Sequence, residues 1–271
     1  MPRLISRETS AGESCSPKPV SLSPVADLVR RHDHDRFQTA LFAPARHRES
    51  LFALYAFNYE VARVRETVSE PVLGQIRLQW WRENIAAAFE GGPVRHHIVV
   101  EPLTAAIRAH GLTRAHFDRL INAREEGLDK APFTSLAVLE DYAEATSARL
   151  VYLALESLGV RDPAAEKAGF HIGIAYALAG LLRSMPYQPR VSRALASAEI
   201  AAAASRHLGL ARSRRSAIPR SALPALLPAI VAERWLKRLA RAGFDPFDRA
   251  LTARDPLQSW RLAIASLRNR Y

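Results

Sequence analysis

"LYAFNYEVARVRE", residues Leu54 to Glu66, is the stretch on which the fold turns. Apolar residues recur in it at intervals of three and four, at Leu54, Phe57, Val61 and Val64, and the series continues to Val68. That spacing is the period of a helix with one buried face. The same stretch carries Glu60, Arg63, Arg65 and Glu66. Charges set into a core helix leave three readings: the solvated side of a bundle helix, an active-site helix, or the remnant of one.

The pattern extends outward. Leu73, Ile76, Trp80 and Ile85 recur at helical spacing, as do Leu150, Leu153, Ile172, Leu178 and Leu182 within their segments. Prolines at 44, 71, 93, 102, 132, 163, 186, 219, 246 and 256 fall between helix-length segments. Asp162-Pro163, Asp245-Pro246 and Asp255-Pro256 each read as an N-cap followed by proline at the first helical position. Sustained alternation of the strand type and repeats of solenoid length are both missing. The pattern predicts an all-α chain of about nine to eleven helices around one core. Residues 1–24, rich in Ser, Pro and Arg, are expected to be a disordered tail ahead of a single domain at 25–271. Residues 209–221 read as a basic loop.

Composition narrows the partners. Hydrophobic residues make up 48% of the 271, enough for a sizeable core. The net charge of +11 favours diphosphates, an anionic membrane surface or nucleic acid. "RSRR" (Arg212–Arg215) lacks interleaved aromatics and a helix-turn-helix pattern, so nucleic acid is not expected. Cys15 is the only cysteine, which excludes a disulfide within the chain and points to a reducing compartment. The apolar runs Ile172–Leu182 and Ala222–Ala232 fall well short of the roughly 20 residues that span a bilayer. The first residues lack an apolar signal core, and Glu8 and Glu13 are atypical of a transit peptide. A cytoplasmic protein is expected, with surface attachment to a membrane left open.

Several motifs have a chemical and a plain reading. "RHDHD" (Arg31–Asp35) resembles a metal cluster, but its two histidines are spaced for neither a helix face nor a closed zinc site, so it reads as a polar helix entry. Adjacent Trp80 and Trp81 point about 100° apart on a helix, one into core and the other toward a neighbour or cavity. In "GIAYALAGLLRSMP" (Gly173–Pro186), Gly173, Ala177 and Gly180 share a side, where a helix or a ligand can approach closely. Arg183 in that segment either complements the helix end or reaches an anion. Glu125 and Asp129 in "LINAREEGLDK" are four apart, a spacing that can hold a hard cation but is more often a solvated face.

Together these residues resemble a known family. "RFQTALFAPARHRESLFALYAFNYEVARVRE" (Arg36–Glu66), "RLQWWRENI" (Arg77–Ile85), "LINAREEGLD" (Leu120–Asp129) and "GIAYALAGLLRSMP" are similar, in order, to blocks of the squalene/phytoene synthase family. The resemblance implies a single-domain isoprenoid synthase helical bundle with a central cavity. It implies an activity that joins two prenyl diphosphates head to head, with Mg²⁺ held by two aspartate-rich helices. At the first aspartate motif this chain has Ala62, Arg63 and Glu66; at the second it has Ser184 and Gln188, with Pro186 between them. One carboxylate stands where the first motif has three, so no metal or other cofactor is expected. If the enzyme reading held, Mg²⁺ would have Glu66, Glu125 and Asp129 as its candidates. Tyr55, Tyr59, Arg77, Trp81, Glu125, Asp129 and Arg183 are the candidates for a cavity or ligand role.

A closer resemblance lies within that family. "LYAFNYEVARVRETVSEPVLGQIRLQWWRENI" (Leu54–Ile85), "DYAEATSARLVYLALESLGV" (Asp141–Val160), "LRSMPYQ" (Leu182–Gln188) and the segment from Trp235 to Tyr271 resemble its branch of respiratory complex I (NADH dehydrogenase) assembly factors. That branch implies a non-catalytic role, a complex I subunit or assembly intermediate as partner, and a peripheral place at the inner membrane, on the matrix side in a mitochondrion. Two rivals stay open: a divergent prenyltransferase and an isoprenoid- or lipid-binding protein. The expected membrane-facing patch is Arg212, Arg214, Arg215 and Arg220 with Lys237, Arg238 and Arg241.

Overall fold

The computed structural model describes residues 22–129, 132–187, 195–213, 215–253 and 255–271. Most of the expected N-terminal tail, Arg214 and Gln188 lie outside them. Thirteen α-helices follow one another, with no strand among the described residues. They are α1 (Pro24–His32), α2 (His34–Ala40), α3 (Ala45–Thr67), α4 (Pro71–Glu90), α5 (Val100–His110), α6 (Arg114–Glu126), α7 (Leu136–Ala143), α8 (Arg149–Ser157), α9 (Pro163–Ser184), α10 (Ser197–Arg212), α11 (Leu223–Leu226), α12 (Pro228–Arg241) and α13 (Gln258–Leu267). The count exceeds the expected range because short pieces are separate: α1 and α2 meet at Asp33, and α11 runs into α12 through Leu227. A wide π turn, Glu144–Ala148, joins α7 to α8 without a break.

Local chemistry sets several boundaries. Ser23 caps α1 by accepting from the Ala26 amide, with Pro24 in the first turn. Asp33 caps α2, so "RHDHD" is a helix junction. Asp162 caps α9 at 2.8 Å, as its proline partner predicts. The other two Asp-Pro pairs do not start helices. Asp245 and Asp255 instead accept from the amides two residues on, Phe247 and Leu257, forming turns. Residues 209–212 belong to α10, so the expected basic loop is shorter than its composition suggests.

The predicted stripe of α3 is the middle of the core: Leu54, Phe57, Val61, Val64 and Val68 are all buried. Phe57 meets Trp81 of α4 and Phe117 of α6 edge-on, at 5.3 and 5.4 Å. Of the expected stripe of α4, Ile85 is buried and Trp80 packs partly buried against the core. Leu73 and Ile76 are exposed, and the buried face is Gly74, Leu78, Trp81, Ile85 and Ala88. Gly74 packs beneath Leu128: a Cβ there would stand 2.7 Å from a Leu128 methyl, which would have to shift.

α9 lies against the π turn through Gly173. A Cβ at that position would be 2.4 Å from the Ala148 Cα and 2.6 Å from its nitrogen. At Gly180, two turns on, a Cβ would meet nothing within 4 Å. Gly173→Ala is therefore expected to cost about 1–3 kcal/mol. Gly180→Ala should be neutral or stabilising by up to about 1 kcal/mol through helix propensity. Urea unfolding of the two variants checks the contrast.

The seam between α9 and α10 holds a histidine pair. His171 Nδ1 lies 2.9 Å from His207 Nδ1, and His207 Nε2 lies 3.2 Å from Glu140 on α7, which also accepts from Arg206. One imidazole nitrogen must donate to the other, so both rings cannot be protonated in this geometry. Burial pushes both histidines below their ordinary value, His207 against the pull of Glu140. The unfolded chain then binds protons first. Stability is full above the unfolded value of about 6.5 and is lost as pH falls from there through the lowered folded values. The urea midpoint should drop over that window, and His171→Gln should flatten the slope.

Candidate functional site

A cavity of about 230 Å³ opens between α3 and α9. Helical spacing arms both walls. From α3 come Asn58, Ala62, Arg65 and Glu66; from α9 come Tyr176, Ala177, Gly180 and Ser184. α6 adds Arg124, α7 adds Tyr142, the π turn adds Thr146 and Ser147, and Arg36 of α2 reaches in. The small residues anticipated on one side of α9 thus serve both purposes. Gly173 admits a neighbouring backbone, and Ala177 and Gly180 leave room for the cavity.

Arg36 is buried, at 9% exposure. Its guanidinium pairs with Asp33 at 2.8 Å, approaches Ser147 Oγ at 3.4 Å, and lies 4.6 Å from the centre of the Tyr176 ring and 5.7 Å from that of Tyr55. Burial is the largest single influence and opposes its charge, but Asp33 together with Tyr176 and Tyr55 outweighs it and holds the pKa above the ordinary arginine value. Burial likewise pushes both tyrosine hydroxyls up, so they stay neutral. Arg124 is held differently. It donates to the Tyr142 hydroxyl at 2.6 Å and to Asn58 at 3.5 Å, and its Nε is buried without a partner. Among the described residues no carboxylate forms an ion pair with Arg124 or Arg65. The described lining therefore has one carboxylate, Glu66, and three guanidinium groups.

The candidates named from sequence do not all meet here. Ala62, Glu66 and Ser184 line the cavity, and Gln188 lies outside the described residues. Arg63 faces the other way, into a shallow groove between α3 and α4, where it pairs with Glu60 at 3.3 Å. Tyr59 stacks on His32 at 4.4 Å. Tyr55 is a core residue beneath Arg36. Arg77 and Trp81 line the outer groove: Arg77 donates to Thr67 at 2.6 Å and Trp81 packs on Phe57. Glu125 is paired with Arg82 at 2.5 Å. Because α6 stops at Glu126, Asp129 lies past its end and does not share a helix face with Glu125. Arg183 pairs with Asp35 at 2.8 Å in a separate cleft against α12. Sequence reasoning missed Arg36, Asn58, Arg124, Tyr142 and Tyr176. The available signal was Asp33 three residues before Arg36, a pair spacing on one helical turn.

The squalene/phytoene synthase family model matches residues 29–195, and the chain belongs to that family. NADH dehydrogenase (ubiquinone) complex I, assembly factor 6 of Bos taurus is 33% identical over 272 residues, covering 90% of this chain and 81% of that protein. Presqualene diphosphate synthase of Rhodopseudomonas palustris is 26% identical over 203 residues, covering 73% of this chain and 69% of that protein. The crystal structure of squalene synthase HpnC from Alicyclobacillus acidocaldarius matches with a TM-score of 0.71 at 20% identity, over 82% of this chain and 94% of that one. The fold is the all-α isoprenoid synthase fold.

The buried pair under the cavity yields a test. Asp33→Asn keeps an N-cap for α2 but leaves Arg36 buried without its counter-charge. It should destabilise the fold by about 3 kcal/mol, read by urea unfolding.

Proposed function

We propose that this chain is a non-catalytic assembly factor for respiratory complex I, built on a prenyl-synthase fold. The observation that carries the reading is the charge of the cavity. A Mg²⁺ site uses one or two carboxylates with water and substrate phosphate. Here, among the described lining residues, the single carboxylate faces three guanidinium groups, whose positive charge opposes a divalent cation. Ala62 and Ser184 stand on the cavity walls at the two motif positions and offer no carboxylate. The length and level of identity to assembly factor 6 support the same reading. Its partner is then a complex I subunit or assembly intermediate. Its place is the cytoplasmic face of the inner membrane, or the matrix face in a mitochondrion. No helix among the described residues is long and apolar enough to cross a membrane, which suits peripheral attachment.

A second reading, a divergent prenyltransferase, rests on the intact cavity and on the likeness to presqualene diphosphate synthase. Incubation with farnesyl or geranylgeranyl diphosphate and Mg²⁺ separates the two. No prenyl product is expected, while deletion of the gene should lower the amount of assembled complex I. Turnover to a head-to-head product would overturn the non-catalytic reading. Ala62→Asp sharpens the test by placing a carboxylate one turn before Glu66. It should raise Mg²⁺ affinity in calorimetry without creating turnover. Arg63→Asp is not its companion, because that side chain faces the outer groove.

A further inference from the structure

Three members of the basic patch expected from sequence are engaged within the fold; Arg220 and Arg241 are exposed without an ion pair among the described residues, and Arg214 lies outside them. Arg212 pairs with Glu233 at 3.0 Å and donates to the Tyr271 carbonyl at 2.8 Å; Lys237 shares Glu233 at 2.8 Å; and Arg238 donates to the Ala250 carbonyl. A different surface stands out at α13. Leu262 and Ala265 bury one face of this helix against the bundle. Its opposite face is also apolar: Leu257, just before the helix, then Trp260, Ile264 and Leu267 are all exposed, Trp260 at 70% and Leu267 at 79%. At about 100° per residue these four side chains fall within one narrow arc.

The charges in the surrounding C-terminal segment are mostly basic. Residues 231–271 contain nine Lys and Arg and four Asp and Glu, a balance of +5. The carboxylates are engaged: Glu233 and Asp255 in ion pairs, Asp245 and Asp248 as acceptors of backbone amides. Arg241, Arg249, Arg268 and Arg270 are exposed, and among the described residues none has an ion pair. An exposed tryptophan with aliphatic neighbours, flanked by unpaired arginines, fits the boundary between lipid headgroups and acyl chains. A second copy fits poorly. The helix has ten residues and is about 15 Å long, so its stripe supplies far less than the roughly 800 Å² per partner of a stable dimer. Like charges would also meet across such a contact.

We infer that the outer face of α13 seats the protein on an anionic bilayer, with Trp260, Ile264 and Leu267 in the interface and Arg268 and Arg270 among the headgroups. This deepens the peripheral-membrane part of the reading above and is independent of the role in complex I assembly. The test uses the full chain with vesicles of mixed phosphatidylcholine and phosphatidylglycerol, against vesicles of phosphatidylcholine alone. The wild type should co-sediment with the anionic vesicles, with a blue shift in the emission of Trp260, the exposed one of the four tryptophans. Trp260→Gln with Leu267→Gln should lower the partition coefficient about tenfold or more, the scale of two apolar side chains left in water. Arg268→Gln with Arg270→Gln should weaken binding and its salt dependence while leaving the blue shift of the bound fraction. Both pairs are exposed, so the variants should unfold at the wild-type urea midpoint. Three results overturn the inference: no binding to anionic vesicles, equal binding to both vesicle types, or unchanged binding of the Trp260/Leu267 variant. Dimerisation of the wild type that the same variant abolishes, seen by sedimentation velocity, assigns the face to a second copy and also overturns it.

Discussion

A missing Cβ governs the centre of this fold. Gly173 lets α9 lie so close to the π turn that a methyl group would stand 2.4 Å from the Ala148 Cα. The π turn is therefore tied to α9 backbone against backbone, and its side chains are presented to one side of the contact. Thr146 and Ser147 enter the cavity wall there, with the Thr146 hydroxyl donating to the Tyr142 carbonyl at 2.7 Å. The next turns of α9 carry Tyr176, Ala177, Gly180 and Ser184 along the same wall, opposite α3. The cavity follows from a close approach at one end of α9 and small side chains further along it.

Charge is the second constraint. Arg36 lies where α2, α3, the π turn and α9 converge, and it is compensated by Asp33. Arg124 and Arg65 add positive charge to the same cavity without a carboxylate partner among the described residues. In a partly desolvated site such charges act more strongly than on an open surface. The cavity thus has a defined sign as well as a defined shape.

The all-α class, the core stripe of α3 and the apolar character of α9 were legible because each is a local period. The register of α4 was legible only in part. Its exposed and buried faces both carry large apolar residues, and only Gly74, packed beneath Leu128, marks the inner one. The pairing of Glu125 with Asp129 failed for a local reason, the end of α6 at Glu126. The cationic lining failed for a nonlocal one. Arg36, Arg65, Arg124 and Tyr176 come from four separate helices, and no spacing along the chain announces that they converge. Residues named from sequence as cavity candidates fared unevenly because a helix has two sides. Ala62 and Glu66 face the cavity, and Arg63 between them faces the groove beside α4.

That two-sidedness bears on the choice between enzyme and assembly factor. Tyr55, Arg77, Trp81 and Arg183 look like relics that a silent cavity would have no reason to keep, and on that ground they favour retained catalysis. Their surroundings remove the argument. Tyr55 and Trp81 are 2% and 4% exposed and fill the core beside Arg36 and Phe57. Arg77 braces the end of α3 through Thr67, and Arg183 ties α9 to α2 through Asp35. Each has a packing or pairing role whether or not a reaction occurs nearby. The residues that bear on the choice are the charged ones that line the cavity. A carboxylate pair draws in Mg²⁺, and the metal carries charge as a leaving group departs. A guanidinium group repels that cation while attracting an anion through its planar donors. Guanidinium groups in excess of carboxylates among the described lining residues therefore bias the cavity toward an anionic group and against a cation.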